Sequence, residues 1–170
     1  MERTQFGYNE CVGLLDTFIS LVREALRGNL ITIALYGSVA RGEANAESDL
    51  DLLVVVGDAS SSYYERLRPI LPLLRQLRQH PSWQDLKSLG WTPAVNVLIL
   101  SKQEADRNRL LYLDMVEEAR ILVDRDGFFQ ERLQKFQTRL RELQARKIRQ
   151  NGSWYWDLKP DLQLHESVVL

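Results

Sequence analysis

The sequence predicts an α/β chain in which short buried strands alternate with amphipathic helices. Three apolar runs have strand length: ITIALY at 31–36, LDLLVVV at 50–56 and VNVLIL at 95–100. Around them, apolar residues recur at helical spacing. Cap and turn residues such as Asn9, Gly28, Gly37 and Ser101 stand at the joins. With 170 residues, 45% of them hydrophobic, the chain can bury a substantial core as one domain.

Each element has its own signal. Asn9 to Gly28 reads as a helix with Val12, Leu15, Phe18, Val22 and Ala25 on its apolar stripe, widened by Leu14 and Leu21. Asn9 is placed to cap it and Gly28 to end it. Ile31 to Tyr36 is a strand rich in β-formers. Gly37-Ser38 opens a short helix running to Glu43. Leu50 to Val56 is apolar throughout, as expected of a strand buried on both faces.

Ser60 to Gln79 is helical, with Tyr63, Leu67, Ile70, Leu71, Leu74 and Leu77 as its apolar side; Pro69 and Pro72 are expected to split or kink it. Pro81 to Pro93 reads as mixed helix and loop, and Val95 to Leu100 as the third strand. SKQE at 101–104 is a capping box that starts another helix. Leu110 to Glu118 continues helical, with Leu111, Met115 and Val116 facing the core, and Ile121 to Val123 is a short extended piece. Gly127 to Ile148 is predicted as one long amphipathic helix, followed by an extended aromatic tail. The expected organisation is a single domain over 1–170, its core at about 9–124 and its C-terminal helix and tail at 125–170.

Composition removes several classes of function. The 22 basic and 23 acidic residues nearly cancel, for a net charge of -1. That balance makes no global electrostatic case for nucleic acid or membrane, so an anionic ligand needs a local site. The single cysteine, Cys11, excludes an internal disulfide and a cysteine-based metal site. It reads as a core or boundary residue. Two histidines, His80 and His165, exclude a histidine-rich one and have no partners in sequence. MERTQFGYNE lacks the apolar stretch of a signal peptide, and no run reaches membrane-spanning length. A cytoplasmic, soluble protein is expected.

The chemistry concentrates in LYGSVARGEANAESDLDLLV, residues 35–54. Asp49 and Asp51 alternate with Leu50 and so point to one face of a strand. Two like charges at close range repel, and a hard divalent cation such as Mg²⁺ resolves the conflict. Gly37 and Ser38 stand where a strand turns into a helix, which leaves backbone N–H groups for a phosphate. Arg41, one turn on, could reach a phosphate oxygen. Metal seat and phosphate cradle together describe a triphosphate site. The plainer alternative is an Asp-x-Asp that caps a turn beside an ordinary Gly-Ser.

Gly37-Ser38, ten residues, then Asp49-Leu50-Asp51 resembles the signature of the polymerase-β-like nucleotidyltransferase superfamily. The local form GSVARGEANAESDLDLLVV looks most like the minimal nucleotidyltransferases, with the core resemblance covering about Asn9 to Leu100. LYLDMVEEARILVDRDGFF and WYWDLKPDL are similar to a prokaryotic subgroup. The resemblance implies a small mixed sheet flanked by helices. It implies transfer of a nucleoside monophosphate from ATP or another NTP to a hydroxyl, with release of pyrophosphate. Gly37 and Ser38 would hold phosphates, Asp49 and Asp51 would bind one or two Mg²⁺ ions, and Arg41 would assist. A HEPN-domain toxin is the implied partner. Nucleic acid and a homo-oligomer stay open, and no membrane partner is expected.

The sequence departs from that signature at its third acid. The strand PAVNVLIL carries Asn96 at its central polar position, and an amide cannot act as a base at neutral pH. Asn96 could stand in the acid's place in a slow or one-metal enzyme. Glu43, Glu47 or Asp58 could substitute in space. Or the domain binds nucleotide, or only its partner, without turnover. A small-molecule transferase of the antibiotic-modifying kind is a further reading, with no acceptor domain evident.

Three other features have a bland and a functional reading. Arg132, Lys135, Arg139, Arg141, Arg146, Lys147 and Arg149 could face RNA, or form a solvated helix face interleaved with Glu131 and Glu142. Trp154, Tyr155 and Trp156 could stack on a base, or fold back over a core edge. Asp114, Glu117 and Glu118 lie at helical spacing and resemble a metal cluster, or form a solvated helix face.

Overall fold

The computed structural model describes residues 5–150, 153–163, 167, 168 and 170. His165 therefore lies outside the described residues. The first helix, α1 (Tyr8–Leu26), begins earlier than the Asn9 cap suggests. Its first turn is closed by Glu10, whose carboxylate accepts from the Gly7 N–H at 2.7 Å. Cys11, Leu14, Leu15, Phe18 and Val22 are its buried stripe, whereas Val12 is exposed. The true stripe lies one position from the predicted one at its start, because the sheet contacts the Cys11 side.

Three strands fall where the apolar runs place them: β1 (Leu30–Tyr36), β2 (Leu50–Val56) and β3 (Val95–Ser101). Between β1 and β2 lies the short helix α2 (Gly37–Arg41), ended by Gly42 in the left-handed region at φ 75°. The prolines split the next segment as expected, into α3 (Tyr63–Leu67) and α4 (Leu71–Gln79), and α5 (Pro81–Ser88) follows. Leu73 and Leu77 of α4 are buried, but Tyr63 and Leu71 are exposed. The SKQE capping box forms as predicted at the start of α6 (Lys102–Ala105), with Ser101 and Glu104 capping each other. α7 (Tyr112–Glu118) leads into β4 (Arg120–Asp124), which is longer than the short extended piece expected.

The four strands form one mixed sheet in the order β3-β2-β1-β4. β1 runs antiparallel to both β2 and β4, while β2 and β3 are parallel. A parallel pair needs a long crossover, which α3, α4 and α5 supply. Helices cover both faces. Leu52 and Val54 of β2 meet α1, α4 and α5 in one core cluster; Leu53 and Val55 meet α7 and the following helix, α8 (Phe128–Glu142), in the other. β2 is thus buried on both sides, which explains its unbroken apolar run.

The C-terminal region corrects the sequence reading. The helix predicted to reach Ile148 stops at Glu142. Gln144 takes φ 56°, Ala145 N donates to Leu140 O at 2.9 Å and Gln144 N to Arg141 O at 3.0 Å. This is a Schellman stop built without the usual glycine, so the sequence carried no signal for it. The chain then forms a hairpin of β5 (Arg146–Gln150) and β6 (Ser153–Asp157), where an extended tail was expected. Trp156 packs against the second core cluster, Trp154 lies under the Lys147 ammonium at 4.3 Å, and Tyr155 is exposed.

Candidate active site

The site forms at the mouth of β2. Asp51 is the register partner of Tyr36 on β1 and of Asn96 on β3. Partners in register share a face, so Tyr36, Asp51 and Asn96 stand in a row across three strands. Asp49 precedes β2 and has the parity of Asp51. The Asn96 amide joins the two acids: its Nδ2 donates to Asp49 Oδ2 and to Asp51 Oδ1, each at 3.1 Å. Asp49 and Asn96 are exposed and Asp51 is half-buried. Among the described residues, no lysine or arginine forms an ion pair with either aspartate.

Gly37 closes against this row. Its φ is +75°, and a Cβ added there would lie 2.6 Å from Asp51 Oδ2. Glycine is required twice, for the backbone angle and for the space. Ser38 follows, half-buried in the first turn of α2, where no side chain caps the helix start. Gly37, Ser38, Asp49, Asp51 and Asn96 therefore meet at one end of the sheet, as the spacing of the motif suggested.

Arg41 does not extend free toward that place. Its guanidinium is held by Glu43 at 2.7 Å and by Glu118 at 3.1 Å. Burial works to lower its pKa, but the hydrogen bonds it donates to Glu43 and Glu118 outweigh it and hold the cation more firmly charged. Lys147 closes the group, 3.2 Å from Glu117 and 2.6 Å from Glu118. The acids predicted as a solvated helix face are thus partly an ion-pair network tying α2 and α7 to the C-terminal hairpin. Beside them, burial and then the Glu118 charge raise the pKa of Asp114.

None of the three acids considered as substitutes at the third position is a register partner of Asp51. Glu43 pairs with Arg41. The Glu47 N–H is held by Asn45 Oδ1 in the loop before β2. Asp58 lies past the far end of β2, where its N–H is bound by Asn29. Among the described residues, no group of three or more His, Cys, Asp or Glu is arranged to hold a metal ion. The donor set at the site is two carboxylates and one amide. That set suits a single hard cation with further oxygen ligands from a substrate.

Two residues that frame the site were not singled out in the sequence. Trp91 is fully buried, stacks on Phe6 at 4.9 Å and donates from Nε1 to Ser48 O at 2.9 Å. It holds the chain immediately before Asp49. Tyr36 faces Asp51, and its hydroxyl pKa is pushed up to about 12 by burial and then by the Asp51 charge. Its place directly before Gly37 was the available signal. Part of the arginine-rich stretch resolves into local contacts. Arg132 is buried with Asn108 and over the Tyr112 ring, Lys135 pairs with Glu131, and Arg139 with Glu142.

Comparisons with known proteins find similarity over the segment that carries the motif. Residues 15–84 match the family model for the nucleotidyltransferase domain. That span includes Gly37, Ser38, Asp49 and Asp51. Over 49 residues the chain is 41% identical to a Methanocaldococcus jannaschii protein provisionally assigned as a protein adenylyltransferase. The match covers 29% of this chain and 48% of that protein, so the chain spans about half the length of the relative. A crystal structure of the spectinomycin adenyltransferase AAD(9) of Enterococcus faecialis, with ATP and spectinomycin, shares the fold. Its TM-score is 0.51 at 13% identity, covering 78% of this chain and 66% of that one. A toxin-antitoxin structure with AMP-PNP aligns at a TM-score of 0.43 and 20% identity, over 76% of this chain and 91% of that one. Among the described residues, no helix is long and apolar enough to cross a membrane. The matched span runs from α1 into α5 with the strand–turn–helix motif at its centre, and over that span the chain is similar to a nucleotidyltransferase domain.

Proposed function

We propose that the chain is a Mg²⁺-dependent nucleotidyltransferase that moves a nucleoside monophosphate from an NTP, ATP by preference, to a hydroxyl. The observation that carries this reading is the pair Asp49 and Asp51. They share one sheet face, bridged by a neutral amide with no cation paired to them among the described residues, beside a glycine that leaves no room for a side chain. In the reaction, a bond forms between the acceptor oxygen and the α-phosphorus. The bond from that phosphorus to the β-bridging oxygen breaks, and pyrophosphate leaves. A bound Mg²⁺ would supply charge neutralisation at the phosphates. Asp49 and Asp51 would hold it, and Gly37 and Ser38 would present backbone N–H and hydroxyl donors to the phosphates. Asn96 offers no basic atom at neutral pH, so the acceptor's proton goes to a carboxylate or to water.

The adenylyl group and a protein acceptor are favoured by the assignment of the Methanocaldococcus relative. A HEPN-domain partner as that acceptor, a cytoplasmic setting and the minimal-transferase subtype rest on the sequence resemblance. The amide at Asn96 favours a second reading, in which the domain binds nucleotide or masks its partner with little turnover.

Calorimetric titration of ATP, with and without Mg²⁺, into wild type and the Asp49→Asn/Asp51→Asn double variant tests the proposal. Pyrophosphate release is assayed in parallel with a candidate partner. We expect Mg²⁺-dependent binding and release in wild type. The double variant should lose at least about a hundredfold in rate, since metal stabilisation of phosphoryl charge is worth several kcal/mol. Binding without release in wild type would favour the second reading, and absence of Mg²⁺-dependent binding would sink the transferase and leave only the masking of a partner.

A further inference from the structure

We propose that the chain carries a second anion site, at the opposite end of the sheet from Asp49 and Asp51, built for a small phosphate-bearing ligand. It lies where β1 begins, about 20 Å along that strand from Tyr36. A cavity of about 450 Å³ opens there between the end of α1, the start of β1 and the end of β4. Arg23, Arg27 and Arg125 line it, and the half-buried Leu122 and Val123 add an apolar wall. The site goes beyond the proposed transferase and does not depend on it.

The charge in this cavity is unmatched. Among the described residues, Arg23 and Arg27 form no ion pair. Asp124 also lines the cavity, but its carboxylate is spent on the fold. It accepts from Thr32 Oγ1 at 2.8 Å and from the Phe129 and Gln130 N–H groups at 3.0 Å. Arg125 is anchored by its Nη2, which donates to Gly28 O at 2.8 Å and to Leu30 O, and this keeps the guanidinium beside the cavity. Arg27 stands at φ 46° and ψ -127°, a backbone conformation that glycine carries without strain and arginine does not. Its side chain, rather than its backbone, is what suits arginine to that place.

The number of cations selects the ligand. One carboxylate answers one guanidinium. A polyphosphate carries several charges, each group able to take paired N–H donors, and so answers three. A nucleic-acid strand needs a basic track that continues along the surface. Here Glu24, next to Arg23, lines a separate cavity with Leu73 and Gln76, and Asp126 follows Arg125. The positive potential is confined to the cavity, which fits a small ligand. A nucleotide and free pyrophosphate share that chemistry.

Pyrophosphate and ATP are titrated separately into the isotope-labelled full chain in EDTA, where a metal-dependent seat does not contribute, and backbone amide shifts are followed by NMR. Shifts at 27–31 and 122–125 are expected. Affinity should fall at least about tenfold in Arg23→Gln/Arg27→Gln, given the strength of charged hydrogen bonds. Arg75→Gln/Arg141→Gln removes the same charge from exposed positions elsewhere and should keep affinity within about twofold. Thermal melts check the folding of both variants. Tighter binding of ATP than of pyrophosphate would support the site with a nucleotide as its ligand, its base against Leu122 and Val123. Equal affinity would support it with free pyrophosphate. Absence of shifts at those amides, shifts confined to 37–41, or an equal loss in the control variant would overturn the site. Tighter binding of a glutamate-rich peptide at the same amides would overturn phosphate as its ligand. Failure of the Mg²⁺-dependent binding proposed for Asp49 and Asp51 would leave this metal-free result unchanged.

Discussion

Two acidic groups lie close together in this molecule and are treated in opposite ways. Glu117 and Glu118 on α7 are met by cations: Lys147 touches both, and Arg41 holds Glu118. Asp49 and Asp51 are met by an amide and by a glycine. In sequence each is a pair of carboxylates with basic residues within reach. The first pair is built into the fold, its charge neutralised within the protein. The second stands at a strand mouth, with Asp49 exposed and Asp51 half-buried, and meets no lysine or arginine among the described residues. An acid's role is thus read from what opposes it.

The comparison breaks most sharply at Gly37. Gly37→Ala should abolish Mg²⁺-dependent nucleotide binding, because its Cβ lies 2.6 Å from Asp51 Oδ2 and displaces a carboxylate of the pair. The positive φ adds a cost of about 1 kcal/mol, which should lower Tm by roughly 2–4 °C in a chain of this size. Loss of binding well beyond the stability loss, by calorimetry and thermal melt, is the expected outcome. Unchanged binding would mean that Asp51 tolerates the shift.

The neutralised group is tested by Glu118→Gln. Burial acts to raise the Glu118 pKa, but hydrogen bonds from Lys147 and Arg41 outweigh it and bring it below the ordinary value. The variant leaves two partly buried cations with a weaker partner, and should cost about 1–3 kcal/mol in chemical denaturation. Asp49→Asn, which removes a charge with no cation opposite it among the described residues, should cost little or nothing in the same assay. Equal losses would erase the distinction between the two pairs.

A smaller effect sharpens the same point. Glu104 is gripped by Arg66, with guanidinium contacts at 2.6 and 3.0 Å, and that hydrogen bonding lowers its pKa from 4.5 to about 2. The folded value is depressed. Its contribution is therefore complete above the unfolded value of 4.5, and is lost as pH falls from there through about 2. Melting temperature against pH should drop less steeply over that window in Glu104→Gln, with a lower starting point at neutral pH. A parallel curve would place the acid sensitivity on other carboxylates.

How much was legible beforehand differs by region. Gly37, Ser38, Asp49 and Asp51 announced themselves because the motif is local: one strand, one turn and the start of the next strand carry it. The Asn96 position was also readable, because parity along VNVLIL sets its face. The pairing of Arg41 with Glu118 was not legible because that partner lies 77 residues on, a distance over which no periodicity speaks. The end of α8 was missed because Gln144 adopts a glycine's conformation, and the hairpin after it went with that error.

The sequence by itself determined the alternation of helices and strands, the double-sided burial of β2 and the carboxylate pair on one face. These follow from side-chain periodicity and steric preference within a few residues. Only the tertiary structure decided the strand order β3-β2-β1-β4, the meeting of Asn96 with both aspartates, and the capture of Arg41 by Glu118. Those depend on which distant segments pack together, and long-range packing energy leaves no local pattern in the chain.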